Sequence, residues 1–192
     1  TFVTQEFKAD GNLVALLGTP TGSLDGSEYL HLVHGLKKGN PQIDINFEKS
    51  VHNACIEAIQ AGLVRSAHDT SEGGLAVCLA ESCISNPQHM RGAQIDLKAL
   101  PTEGRRLDEI LFGESPSRIV LTVDPQDLPR LEAIAAKLSV PCFKLGSVGG
   151  DRLVIRYNGS KAIDLDVQTL SNIWRESIPA KTGMAPLPTA LA

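Results

Sequence analysis

The sequence predicts an α+β domain, a mixed β-sheet covered by helices, and three observations predict it. Apolar runs of strand length recur along the chain, among them LVALLG, RIVLTV and RLVIRY. Between them lie stretches whose apolar residues fall at i, i+3, i+4, i+7 and i+8, the spacing of one helix face. Strands and helices mix without strict βαβ alternation, which argues against an all-parallel sheet. A chain of 192 residues buries roughly 70% of its unfolded surface, enough for a core without disulfide staples. Aromatic residues are only 4%, so Leu, Ile, Val and Ala fill that core.

Taken in order, residues 1–10 and the strand 13–18 read as a hairpin about the turn Asp10-Gly11-Asn12. The small residues of TPTGSLDGSEYL lead into a helix near Ser27, Glu28 and Tyr29, which Gly35 and then Gly39-Asn40-Pro41 stop. From Asn46, the positions Val51, Ala54, Cys55, Ala58 and Ile59 make the clearest amphipathic helix, with Gly62 as its C-cap. LVRSAHD is a strand, and LAVCLAESCI is apolar almost all round, the pattern of a buried helix. AQIDL (93–97) and RIVLTV (118–123) are strands, with RRLDEILFGESPS as helix and loop between them. Asp124 caps a helix that has Pro125 at its first position and Leu128, Leu131, Ile134, Ala135 and Leu138 on its apolar face. CFKLGSV and RLVIRY are strands joined by Gly149-Gly150-Asp151, and a last helix runs from Leu165 to Ile178. Residues 1–179 are expected to form a single domain and 180–192 a flexible tail.

Eighteen Lys and Arg against 22 Asp and Glu, net charge −4, with no long run of one sign, argue against nucleic-acid and polybasic membrane binding. No apolar run approaches the ~20 residues of a membrane span, and TFVTQEFKAD has no export signature. Cys55, Cys78, Cys83 and Cys142 show no CxxC spacing, so free thiols in a reducing, cytoplasmic setting are expected. A first residue other than Met, in strand-like sequence, suggests a piece of something longer.

Three stretches could carry chemistry. In Ala67-His68-Asp69-Thr70-Ser71-Glu72-Gly73-Gly74-Leu75 a strand ends in polar residues and a helix opens after two glycines. Free N–H groups there can hold a phosphate or carboxylate, while Ser71 or Asp69 can equally be an ordinary N-cap. His68 beside Asp69 is either a base with its orienter or a hydrogen-bonded structural histidine. Glu114, Ser115, Ser117 and Arg118, in the GESPSR loop before a strand, suit an anionic or hydroxylated ligand, the alternative being a surface loop with Arg118 paired to Glu114. Ser27 and Glu28 form a capping device or a ligand-facing helix start. His31 and His34 lack a nearby carboxylate to complete a zinc site. Neither GxxxxGK[ST] nor GxGxxG occurs, so the chain has no standard phosphate cradle.

GSEYL at 26–30, AHDTSEGGLAVCLAE at 67–81 and LFGESPSRIVLTV at 111–123 together resemble the synthetase subunit of the phosphoribosylformylglycinamidine synthase family, within the wider aminoimidazole ribonucleotide synthetase-like group. IDLDVQTLSNIWRESIP is similar to the C-terminal end of that subunit. The resemblance implies the fold of that group's C-terminal domain. It also implies an ATP- and Mg²⁺-dependent ligase of purine biosynthesis, in which formylglycinamide ribonucleotide and glutamine-derived ammonia give the amidine. ATP, Mg²⁺ and catalysis would then belong to preceding domains of the same polypeptide, with a glutaminase subunit or domain as partner, and this chain alone would be inactive. A non-catalytic scaffold, or a relative such as selenophosphate synthetase or the hydrogenase maturation factor, are the alternatives.

Overall fold

A computed structural model of the chain describes residues 2–183. Seven strands, β1 (Leu13–Gly18), β2 (Val64–Asp69), β3 (Ala93–Asp96), β4 (Arg118–Val123), β5 (Cys142–Val148), β6 (Arg152–Tyr157) and β7 (Ser160–Asp166), form one sheet in the order β2-β4-β1-β5-β3-β6-β7. Only β3 and β6 run parallel. The six α-helices are α1 (Glu28–His34), α2 (Ile45–Gln60), α3 (Gly74–Ile84), α4 (Leu107–Phe112), α5 (Leu128–Lys137) and α6 (Val167–Thr182). The α+β class and mixed sheet read from the sequence are those observed.

Strand alternation divides the core into two layers. From β1 and β4, Val14, Leu16 and Val120 join Leu75, Leu79 of α3 and Ile110 of α4 on one face. Ala15, Leu17, Ile119 and Leu121 join Val51, Ala54 and Ala58 of α2 and Leu131 and Ala135 of α5 on the other. The near-continuous apolar run of β4 follows from burial on both faces. Helix α3, apolar nearly all round, has eight of its eleven residues buried. The C-cap of α2 is Ala61, and Gly62, read as the cap, is the left-handed residue just after it at φ 73°: its N–H bonds Ile59 O, and Leu63 N–H reaches back to Ala58 O.

Three readings need correction. Residues 2–8 form no hairpin with β1, because β4 and β5 already occupy both edges of β1; Phe7 instead enters the core and its N–H bonds Ser82 O. Strands β5 and β6 are joined at Gly149-Gly150-Asp151 as read, and β3 lies between them in the sheet, antiparallel to one and parallel to the other. The Asp124 side chain caps no helix: it accepts from Arg65 and from Asn12 Nδ2 (2.7 Å), and a 3₁₀ turn at Pro125–Asp127 precedes α5. Leu165 belongs to β7, not to the last helix, whose N-cap is Asp166, its side chain accepting from Thr169 N–H. That helix passes Pro179 and ends at Thr182; residues 184–192 of the expected tail lie outside the described residues.

Candidate functional site

The three motif stretches, far apart in sequence, meet at one end of the sheet. β2 and β4 are paired, with His68 opposite Val120 and Asp69 opposite Ile119. The loops leaving the C-terminal end of β2 and entering the N-terminal end of β4 are therefore neighbours, and the loop leaving β1 joins them because Gly18 lies opposite Arg118.

Glu114 holds the cluster together. Its Oε1 accepts from Gly73 N–H at 2.7 Å and from Glu28 N–H at 2.9 Å, so one carboxylate oxygen bridges the starts of α3 and α1. The placement is favourable for a negative charge, because free N–H groups and the positive end of each helix dipole converge there. Glu114 N–H donates to Ser23 O (2.9 Å), and Ser23 N–H donates to Ser115 Oγ (2.8 Å). Ser27 is the N-cap of α1, accepting from Leu30 N–H at 3.3 Å. The N-cap of α3 is Gly73 without a side-chain bond, so neither Ser71 nor Asp69 caps it as one reading allowed. Ser71 donates to Asp69 at 2.5 Å, and this bond holds the exposed Asp69 carboxyl below the usual carboxylate range.

Arg118 does not pair with Glu114, which corrects the surface-loop reading. It is 2% exposed, and its Nε and Nη1 donate to the carbonyls of Thr19 (3.2 Å) and Gly113 (2.9 Å). Nη2 is buried without a protein partner, and burial pulls the guanidinium pKa down to about 10. The alternation of β4 explains the burial: Arg118 points to the same face as Val120, toward α3 and α4. Ser117 takes a left-handed φ of 62° and donates its hydroxyl to Glu48. His68 is the hydrogen-bonded kind of histidine, with Nε2 at 2.7 Å from Glu81 Oε2 and Nδ1 at 3.7 Å from Asp69 Oδ1.

Glu48, Glu81 and the glycine contacts escaped sequence reasoning. A Cβ on Gly22 would stand 2.3 Å from Gly113 O, and one on Gly74 2.7 Å from the same oxygen. The three loops therefore pack backbone against backbone, and the glycines that allow it are a signal visible only once the partners are known.

A groove of about 480 Å³ opens over this cluster, lined among others by Glu48, His52, Asp69, Ser71, Glu114 and Ser117. With three carboxylates, one histidine and the buried Arg118 among its lining residues, the groove is rich in acceptors for hydroxyl or amine donors and holds one guanidinium for an anion. Among the described residues no group of three His, Cys, Asp or Glu is placed to hold a metal ion. At the start of α3, Gly73 N–H is already bonded to Glu114, which leaves Arg118 Nη2 as a buried donor without a partner in the lining of this groove, too few converging donors for a triphosphate.

The family described as AIR synthase related protein, C-terminal domain, matches residues 9–158. The chain belongs to that family. Phosphoribosylformylglycinamidine synthase subunit PurL of Thermoanaerobacter sp. (strain X514) is 40% identical over 176 residues, covering 91% of this chain and 23% of the relative. The corresponding subunit of Synechocystis sp. is 43% identical over 181 residues, covering 92% and 23%. The chain thus spans under a quarter of the length of these relatives. Among solved structures, T. maritima PurL complexed with FGAR superimposes with a TM-score of 0.75 at 24% identity, over 88% of this chain and 29% of that one. Thiamine-monophosphate kinase from Stenotrophomonas maltophilia reaches 0.51 at 18% identity, over 83% and 54%. The C-terminal-domain fold expected from the sequence motifs is the fold of this family. No helix among the described residues is long and apolar enough to cross a membrane.

Proposed function

We propose that this chain works as the C-terminal domain of a phosphoribosylformylglycinamidine synthase, forming one wall of a site completed by polypeptide that precedes it in the PurL relatives. In that setting the reaction is the ATP-dependent conversion of formylglycinamide ribonucleotide and glutamine-derived ammonia to the amidine, in the cytoplasm, with a glutaminase subunit as partner. ATP and Mg²⁺ belong to the preceding polypeptide. The observation that carries the reading is the meeting of GSEYL, HDTSEGGL and GESPSR around Glu114 in a groove rich in acceptors, in a chain about 40% identical to PurL over 91% of its length. Those acceptors suit hydroxyl and amine groups of the ribonucleotide.

A second reading, a purely structural domain, draws on one feature: Glu114 and Arg118 spend their hydrogen bonds on backbone groups of the domain itself. The two are separated by assaying the isolated chain and a fusion in which it replaces the matching C-terminal quarter of Synechocystis PurL. Each is given ATP, Mg²⁺, ammonia and formylglycinamide ribonucleotide. The isolated chain is expected to give neither ATP hydrolysis nor amidine, and the fusion to give both. Asp69→Asn in the fusion is expected to raise the substrate KM or lower kcat; kinetics unchanged by it would favour the structural reading. Turnover by the isolated chain would overturn the proposal.

A further inference from the structure

Residues 31–46 are all solvent-exposed, an uninterrupted stretch that includes most of α1. Within it stand five large apolar side chains: Leu32 (77% exposed), Val33, Leu36, Ile43 and Ile45. Helix α1 buries none of its residues. A solvent helix ordinarily turns polar residues outward, and seven residues make too short a helix to stand by propensity alone.

The helix is nonetheless pinned. Ser27 caps its start and Glu114 takes Glu28 N–H. Gly35, at φ 64°, closes its end with bonds back to His31 O and Leu30 O, and Tyr29 stacks on Phe112 at 5.0 Å between ring centroids. Leu32, Val33 and Leu36 are thereby held outward at i, i+1 and i+4, and Leu36 lines, with Lys37 and Lys38, a second groove of about 330 Å³ at the start of α1. Lys37 and Lys38, at the rim, have no acidic partner among the described residues. An ordered apolar face with unpaired cations at its edge is a docking surface rather than a solvated one.

Resting on the function proposed above, we propose that α1 and residues 35–45 are the surface on which the preceding polypeptide of the full-length synthase docks, through an apolar face rimmed by carboxylates. Two observations choose this occupant over a second copy of the chain. The relatives carry more than three times this chain's length outside the matched region, since the match is 23% of them. The cations of the rim call for a partner of opposite charge, which a second copy would not supply with the same face. Because Glu114 bonds both α1 and the start of α3, docking here sets the partner's position relative to the groove.

Cysteine accessibility tests the proposal. Leu32→Cys, Ile43→Cys and, as a control on the exposed part of another face, Gln126→Cys are placed in the isolated chain and in the Synechocystis fusion, then labelled with a maleimide under native conditions. The native thiols contribute little background: Cys55, Cys78 and Cys83 are buried and Cys142 is half-buried. All three new thiols are expected to react alike in the isolated chain. In the fusion, positions 32 and 43 should slow at least tenfold and position 126 should not. A fusion that makes amidine while 32 and 43 react as fast as in the isolated chain overturns the docking surface and leaves the function proposed above standing. Protection at both positions in a fusion that makes no amidine does the reverse. Protection at all three positions equally also overturns the proposal, since it would mark general occlusion.

Discussion

Replacing Glu114 with Ala removes one oxygen that accepts from two backbone N–H groups, at 2.7 and 2.9 Å, each at the first turn of a helix. Hydrogen bonds to charged groups are worth about 1.5–3 kcal/mol when shielded. Glu114 is half-buried and the bond to Glu28 is exposed, so about 1 kcal/mol each is the fitting figure, with about 0.3–1 kcal/mol more for an anion at a helix start. The total is about 2–3 kcal/mol, which for a domain of this size lowers Tm by roughly 4–12 °C. Glu114→Gln keeps an acceptor oxygen and loses the charge, so its loss should be about 1 kcal/mol, roughly 2–4 °C. Differential scanning calorimetry of the purified chain and both variants reads the order parent, Gln, Ala. A Glu114→Ala variant that melts at or above the parent would refute the reasoning, because a carboxylate held in reserve for a ligand costs the free domain stability, whereas one that caps two helices supplies it.

Gly74→Ala should cost more than 3 kcal/mol by urea denaturation, since its φ of 64° disfavours a side chain and the new Cβ would lie 2.7 Å from Gly113 O, while Ser71→Ala, losing one exposed bond to Asp69, should cost under about 1 kcal/mol. Arg118→Met should cost about 2–4 kcal/mol by the same measurement, because two backbone carbonyls lose their donor and relief of a buried charge offsets only part of that; a variant as stable as the parent would show the charge to be the larger burden. All four thiols should titrate after denaturation without reductant and react slowly in the native protein, where burial lifts Cys55 to about 11 and Cys83 and Cys142 to about 12; fast native labelling would contradict the packing of α2 and α3.

Much of the fold was legible because burial writes itself into local patterns. The all-round apolar character of α3 and the continuous run of β4 follow from having neighbours on every side, and α2 shows a clean stripe because only one side faces the sheet. Strand β7 was missed for the opposite reason: SKAIDLD is an edge strand bonded only to β6 and largely exposed, so its composition carries little apolar signal. A local signal for it did exist. Asn158-Gly159, at φ 49° and 78°, is the two-residue turn that best marks a hairpin. The false hairpin at residues 1–18 and the separation of β5 from β6 by β3 have no local signature, because strand neighbours are chosen by the whole sheet. At the site, the residue types in the motifs were legible, but their partners were not: Glu114 finds Gly73 and Glu28 at sequence separations of 41 and 86, and Arg118 finds carbonyls rather than the carboxylate four residues before it.

Those long separations bear on what the motifs do. Loops leaving β1 and β2 and entering β4 can meet only after the three strands have paired, so the Glu114 bridge is a product of the folded sheet and not a local turn. Once formed, it is bonded largely within itself: Glu114 to two helix starts, Ser115 to Ser23, Ser117 to Glu48, and Arg118 to two loop carbonyls with its Nη2 left over. Such a cluster has little freedom left to fold around a ligand, and a ligand meeting it finds a preformed surface. What that surface still offers a ligand is the carboxylates of Glu48, Asp69 and Glu114 together with the unpartnered Nη2 of Arg118. Under the function proposed above, the further donors and cations that a ribonucleotide phosphate needs come from polypeptide facing this groove.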